Sequence, residues 1–350
     1  MDRGLRSDAE QLLRDEAVDV IDLHLDTYIA SRIARRDLQK RHRLGGPLDH
    51  RLYGMVDLPA AIEAGMTGGM WSITTNPFRP AKVRQRAFHR NLRGIQAEFE
   101  RRPDRARVVR TLAEYHAARA DGRHGAFIAV QGGNAVEHDP SIVDDMPDGL
   151  ICRITLVHLT DSGFGATSAP APNVPFLRRK SEGLTGLGRD FVRRCNAALI
   201  LVDLAHISRT GFHDALAVHD PDLPPIVTHT GVDAVNRHWR NLTDDQVRAI
   251  AERGGTVGIM YQSSFLGEPY WGGRCEAVVD HAQHVIDLVG DDHVSLGSDW
   301  DGAIMPPRDL RKPADLPNLV ASMLRRGWTH DRCRKVLGTN ALRVIGAVRP

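Results

Sequence analysis

Apolar and polar positions along this chain alternate between two patterns. Short, nearly continuous apolar runs rich in β-branched residues recur at Val18 to His24, Gly68 to Thr74, Gly125 to Gln131 and Cys152 to His158. They return at Ala198 to His206, Pro225 to Thr230, Thr256 to Tyr261 and Val294 to Asp301. Continuous apolar character marks strands buried on both faces of a parallel sheet. Between the runs, helical periodicity covers Ala81 to Arg101, Leu184 to Asn196 and Thr243 to Arg253. In the last of these Thr243 is a natural N-cap, and Asp244 and Asp245 suit the positive end of the helix. Eight strands alternating with helices predict a closed α/β barrel of the TIM type, (β/α)₈. No compositional break or repeat divides residues 1–350, which read as one domain. Gly163 to Leu187 is rich in Gly and Pro and reads as a long loop over the barrel mouth; the segment from Pro313 onward reads as helices packed outside.

Composition narrows the field. Lys and Arg total 46 against 44 Asp and Glu, a formal charge of +2, so nothing points to nucleic acid or an anionic membrane surface. Cys152, Cys195, Cys275 and Cys333 are far apart and form no CxxC pair, which argues against a disulfide framework or a thiolate zinc site and suits a reducing cytoplasm. The start of the chain is polar and helical in pattern, and no stretch is long and apolar enough to span a bilayer, so a soluble protein is expected.

The strand ends carry the chemistry. His24, Asp26, Gln131, His158, His206, His229 and Asp299 all fall at the C-terminal ends of predicted strands, the end where barrels of this type place their active sites. His24 and Asp26 stand two apart on one strand and so face the same side. Imidazoles with carboxylates suit zinc, with a position left for water. Taken singly, each residue has an ordinary reading: a packed imidazole, a helix cap or a turn. Their recurrence at successive strand ends does not.

These landmarks stand in an order that resembles the membrane (renal-type) dipeptidase family, peptidase M19-like, of the amidohydrolase superfamily. The similar segments are IDLHLDT, GGMWSI, the Gly132-Gly133 pair, GLTGLGR, VDLAHIS, THT, HWRNLTDDQVRAIAERGGTVGI, GSDWDG and KVLGTNALRVI. The resemblance implies that His24 and Asp26 ligate one zinc and that His206 and His229 ligate a second. It implies that His158 stabilises the oxyanion of a tetrahedral intermediate, and that Arg240 pairs with the substrate carboxylate. Asp299 would take a proton from metal-activated water and pass it to the leaving amine. Asp301 reads as a structural neighbour.

One position departs from that pattern. The family carries a metal-bridging glutamate before the Gly-Gly pair, and this chain has Gln131. An amide is a poor zinc ligand and offsets little of the repulsion between two divalent ions about 3.5–4 Å apart. The expectation is one ion per chain rather than two, or one bound weakly. That ion stays with His24 and Asp26, or moves to His206 and His229 with Asp26 or Asp299 completing the set. Glu137 is a weak candidate to compensate from the loop.

The reading is therefore zinc-dependent hydrolysis of a dipeptide or a dipeptide-like small amide, on a small-molecule substrate, with Thr74 to Phe78, Gly163 to Leu187, Tyr261 and Trp239 as candidate specificity elements. Its rivals are a catalytically impaired homologue that binds a peptide or metabolite, and a biosynthetic amidohydrolase with another substrate. By resemblance, a homodimer is expected.

Overall fold

A computed structural model describes residues 3–42, 53–144, 146, 149–169 and 182–350. Nine strands form one parallel sheet: β1 (Ile21–Leu25), β2 (Gly68–Thr74), β3 (Ala106–Val108), β4 (His124–Gln131), β5 (Ile151–Thr155), β6 (Leu201–Asp203), β7 (Ile226–Thr230), β8 (Thr256–Ile259) and β9 (Val294–Leu296). Eight follow the order β1-β2-β4-β5-β6-β7-β8-β9, while β3 pairs only with the start of β4. All eight predicted strands are present. The three-residue β3 was not anticipated, because ARV carries neither length nor apolar continuity.

Closure comes from β1 and the segment after β9. Leu25 bridges Trp300, the Asp26 amide donates to the Trp300 carbonyl (3.2 Å), and the Asp299 amide donates to the His24 carbonyl (3.1 Å). The buried Asp22 carboxylate braces this seam, accepting from the backbone amides of His24 and Ser298 at 2.9 Å each. The result is a nearly closed (β/α)₈ barrel of the TIM type. Every residue of β1 and β4 is buried, as expected where helices cover the sheet outside and side chains fill it inside.

Helices alternate with the strands as the periodicity predicts. α1 (Arg3–Arg14) precedes the barrel; α2 (Thr27–Ile33), α3 (Leu58–Glu63), α4 (Ala81–Glu100) and α5 (Leu112–Ala120) follow. Next come α6 (Gly186–Ala197), α7 (Arg209–Val218), α8 (Asp244–Glu252) and α9 (Glu276–Val289). α8 begins with a full capping box, in which Thr243 and Gln246 satisfy each other's backbone amides. From Pro313 the chain packs α10 (Leu316–Arg325), α11 (His330–Arg334) and α12 (Asn340–Val348) against the barrel, α10 lying along α1. Of the expected mouth loop, residues 170–181 lie outside the described residues.

Candidate metal centre

The predicted site residues converge at the C-terminal ends of the strands. Several of them stand just past the strands rather than in them. His158 follows β5, His206 follows β6 and Asp299 follows β9. Short strands release the chain early, and the next residues turn back over the mouth. His206 (φ 66°) and Asp299 (φ 60°) both adopt left-handed backbone, a conformation that costs free energy for a side-chain residue and persists where surroundings enforce it. Gly302 makes room for this: a Cβ there would stand 2.1 Å from the Asp299 Oδ1.

Four imidazoles meet inside the mouth. The His24 and His229 rings stack at 3.8 Å, His206 meets His229 edge-on at 4.9 Å, and His158 meets His206 edge-on at 4.7 Å. The Nε2 atoms of His206 and His229 face each other at 2.9 Å. His24 Nε2 lies 3.6 Å from Asp26 Oδ1 and 3.7 Å from Asp299 Oδ1. One ligand atom each from His24, His229 and Asp299 lies within 4.8 Å of the others. Asp299 Oδ1 and His206 Nδ1 are buried without a hydrogen-bond partner among the described residues.

Burial sets the protonation of the group. It holds His24 below its ordinary value, His158 down at about 4, and His206 and His229 well below 6.5, with nearby cations adding to the effect on the last two. All four are neutral at physiological pH, so each ring has one donor and one acceptor nitrogen. Burial, reinforced by Asp26, pushes the Asp299 carboxyl well above the usual carboxylate range. That suits a group that must hold and release a proton.

Gln131 ends β4 in register with Thr74 on one side and Thr155 on the other, so its side chain projects into the middle of the centre. The amide is best satisfied with its nitrogen turned to the Asp26 carboxylate, whose two oxygens its own oxygen would otherwise confront. So turned, Nε2 donates to Asp26 (2.8 and 3.1 Å) and to Thr74 Oγ1 (3.0 Å), while Oε1 accepts from His24 Nε2 (3.1 Å) and from His158 Nε2 (3.3 Å). The terminal atom that is the oxygen in this orientation also lies 3.4 Å from His206 Nε2 and 3.5 Å from His229 Nε2.

Arg240 is buried beside these residues. Its Nη2 donates to the His229 carbonyl (2.6 Å), and burial lowers it to about 10, leaving it fully cationic near neutrality. The surrounding HWRN turn is tied to its neighbours, as the Asn241 amide donates to the carbonyls of Asn236 and Phe265 at 2.8 Å each. Asp301 turns away from the centre, its carboxylate accepting from Thr27 and from the backbone amides of Met55 and Val56. Glu137 is engaged elsewhere, pairing with Arg84 and accepting from the Gly163 amide (2.8 Å). Tyr261 is buried edge-on against Trp300, whereas Trp239 is 36% exposed and packs edge-on against Phe265.

Sequence reasoning missed the polar layer beneath the histidines. Arg153 and Asp203 are fully buried and paired at 3.2 Å. Arg153 also donates to Thr155 Oγ1 (2.6 Å), Ser72 Oγ (3.0 Å) and His24 Nδ1 (2.9 Å). Asp203 accepts from the hydroxyls of Thr155 (2.6 Å) and Thr228 (2.7 Å). The available signal was an arginine in the otherwise apolar run CRITLVH, since a charge in a buried strand needs a partner.

Comparison with known proteins agrees with this geometry. The chain matches the family model for membrane dipeptidases (peptidase family M19) over residues 7–350, and it belongs to that family. It is 30% identical over 256 residues to dipeptidase verJ of Clonostachys rogersoniana, a match spanning 73% of this chain and 63% of that relative. Among solved structures it is similar to dipeptidase AC, a metallopeptidase of family M19, with 29% identity, TM-score 0.81 and coverage of 94% and 99%. It is also similar to a metallopeptidase from Rhodobacter sphaeroides liganded with a phosphinate mimic of L-Ala-D-Ala, with 27% identity, TM-score 0.83 and coverage of 95% and 99%. Among the described residues no helix is long and apolar enough to cross a membrane.

Proposed function

We propose that this chain hydrolyses the amide bond of a dipeptide, or of a dipeptide-like small molecule with a free carboxylate, using a single divalent ion, zinc by preference. The observation that carries the reading is the unpaired, buried Asp299 Oδ1 beside neutral imidazoles, with a buried guanidinium alongside. The residues fit a metal. Two imidazole nitrogens facing each other at 2.9 Å, both neutral, suit a cation between them better than they suit each other. Ligands at 2.0–2.1 Å in a tetrahedral site stand about 3.4 Å apart, close to the 3.4 and 3.5 Å from the Gln131 oxygen to His206 and His229, while the two imidazole nitrogens stand closer, at 2.9 Å.

A bound ion would supply Lewis acidity and lower the pKa of water. The rest is done by the protein. Arg240 receives the substrate carboxylate in its planar fork and fixes which end of the molecule enters. Once the substrate covers the mouth, water is excluded and each polar contact inside strengthens. Asp299, whose proton affinity is raised by burial, takes a proton from the attacking water and returns it to the amine nitrogen as the C–N bond breaks. His158, neutral and within 3.3 Å of the Gln131 oxygen, steadies the negative charge that develops on the carbonyl oxygen.

The test is turnover of L-Ala-D-Ala and a panel of other dipeptides by zinc-reconstituted protein, beside an Asp299→Asn variant. The expected outcome is hydrolysis in the wild type and a fall in kcat of about 10²–10⁴-fold in the variant. Zinc binding without turnover of any dipeptide would sink the reading in favour of a homologue that only binds. Gln131 is the residue that keeps that alternative open.

A further inference from the structure

The two halves of the centre contain similar residues wired with opposite hydrogen-bond polarity. Behind His229, Thr228 Oγ1 sends its single hydrogen to the Asp203 carboxylate (2.7 Å) and so accepts from His229 Nδ1 (2.8 Å). That places the ring hydrogen on Nδ1 and leaves the Nε2 lone pair pointing into the site. A metal-binding histidine normally has this arrangement, with its other nitrogen donating to a fixed acceptor.

Behind His24 the polarity is reversed. Arg153 has only donors, and its Nη2 stands 2.9 Å from His24 Nδ1, which must therefore accept. The neutral ring then carries its hydrogen on Nε2, the atom that faces the site. That hydrogen already has a partner, the Gln131 oxygen at 3.1 Å, and the Gln131 amide in turn donates to both oxygens of Asp26. From Arg153 through His24 and Gln131 to Asp26, each donor meets an acceptor, and His24 has no lone pair left over. For His24 Nε2 to ligate an ion, its hydrogen would have to move to Nδ1 and confront the guanidinium hydrogens.

We infer that Arg153, acting with Gln131, closes the His24–Asp26 half of the centre to metal, so that the chain carries one ion, on His206 and His229. Arg153 is a positioning residue here: it fixes the tautomer of His24 and touches neither ion nor substrate. A second ion would add two positive charges in a low-dielectric interior where Arg153 and Arg240 are already cationic.

The inference rests on the reading of this site as a metal centre, and its test separates the two. Native mass spectrometry would count zinc per chain in the wild type, in Gln131→Glu and in Gln131→Glu/Arg153→Met, each titrated with zinc. Expected are one, one and two ions. The second zinc should bind Gln131→Glu about 10–100-fold more weakly than it binds the double variant. Two ions in the wild type, or equal affinity for the second ion in both variants, would overturn the role of Arg153 while leaving a metal centre in place. No zinc in any form would overturn the metal-centre reading itself.

Loss of Arg153 leaves Asp203 short of a partner, so the double variant carries a risk of misfolding. The wild type supplies an independent readout. With ¹⁵N-labelled histidine in the zinc-loaded protein, His24 should show a protonated Nε2 and an unprotonated Nδ1, while His229 shows the reverse hydrogen position. A His24 ring hydrogen on Nδ1 would overturn the proposal without any variant.

Discussion

His229 and His24 stack on one another in the same mouth, both fully buried and both neutral, yet only one is prepared to bind a cation. The difference lies one residue further back. A threonine that relays to a carboxylate turns the His229 lone pair toward the site; an arginine turns a hydrogen there from His24. Ring identity, burial and distance are nearly matched, so none of them decides whether a histidine is a ligand. Between these two rings, the polarity of the hydrogen bond behind each does.

Asp203 is where the two halves meet, and changing it has the largest expected effect. It pairs with Arg153 under one half and receives the Thr228 hydroxyl under the other. Asp203→Asn leaves a buried guanidinium without its counter-charge, which costs about 3–5 kcal/mol. The midpoint of urea unfolding should fall accordingly at unchanged m. A loss below about 1 kcal/mol would mean that Thr155, Ser72 and the backbone carbonyls hold Arg153 unaided, and the shared support would not exist.

This layer also marks where sequence reading stopped. The eight barrel strands were legible because buried parallel strands write continuous apolar runs, and His24, Asp26, His158, His206, His229 and Asp299 were legible because they end those runs. Asp301 was correctly set aside: its carboxylate ties Thr27 to the Met55–Val56 backbone. What stayed hidden was directional. Arg153 does not reveal in sequence that it faces His24, which depends on register between strands far apart in the chain; Thr228 adjoins His229, but the direction of its hydrogen bond is set by Asp203 on another strand. Gln131 was visible as a lost charge, but its role as the link from His24 to Asp26 needed coordinates.

His124 sharpens the comparison from outside the site. It is buried at the opposite end of β4, and both nitrogens are satisfied: one ring nitrogen meets the Met66 carbonyl (2.9 Å) and the other meets the Trp71 indole (3.1 Å). Burial drives it down to about 4, as it does His158. A depressed value is thus a sign of burial and not of function. The unfolded ring titrates near 6.5, so between 6.5 and 4 the unfolded chain binds the extra proton. The stability linked to His124 is complete above 6.5 and is lost as pH falls toward 4, by up to about 3 kcal/mol. Unfolding free energies measured from pH 7 to 4 should decline less in His124→Gln than in the wild type. Parallel curves would show that His124 keeps an ordinary value in the fold.

The smallest expected effect is the most direct test of the comparison, because it changes the support of one half at a time. Thr228→Val keeps the shape of the side chain and removes the oxygen that accepts from His229 Nδ1. His229 then loses the bond that fixes its tautomer, and zinc affinity should weaken about 10–100-fold, with His206 and His229 still present. Ser72→Ala is the matching change under the other half, removing a hydroxyl that accepts from Arg153 beside His24. It should leave the zinc Kd unaltered, because the ion does not use His24. Competition titrations with a chromogenic chelator read both values on the same scale. If Ser72→Ala weakens zinc as much as Thr228→Val does, the ion is held from both sides, and the two halves are equivalent after all.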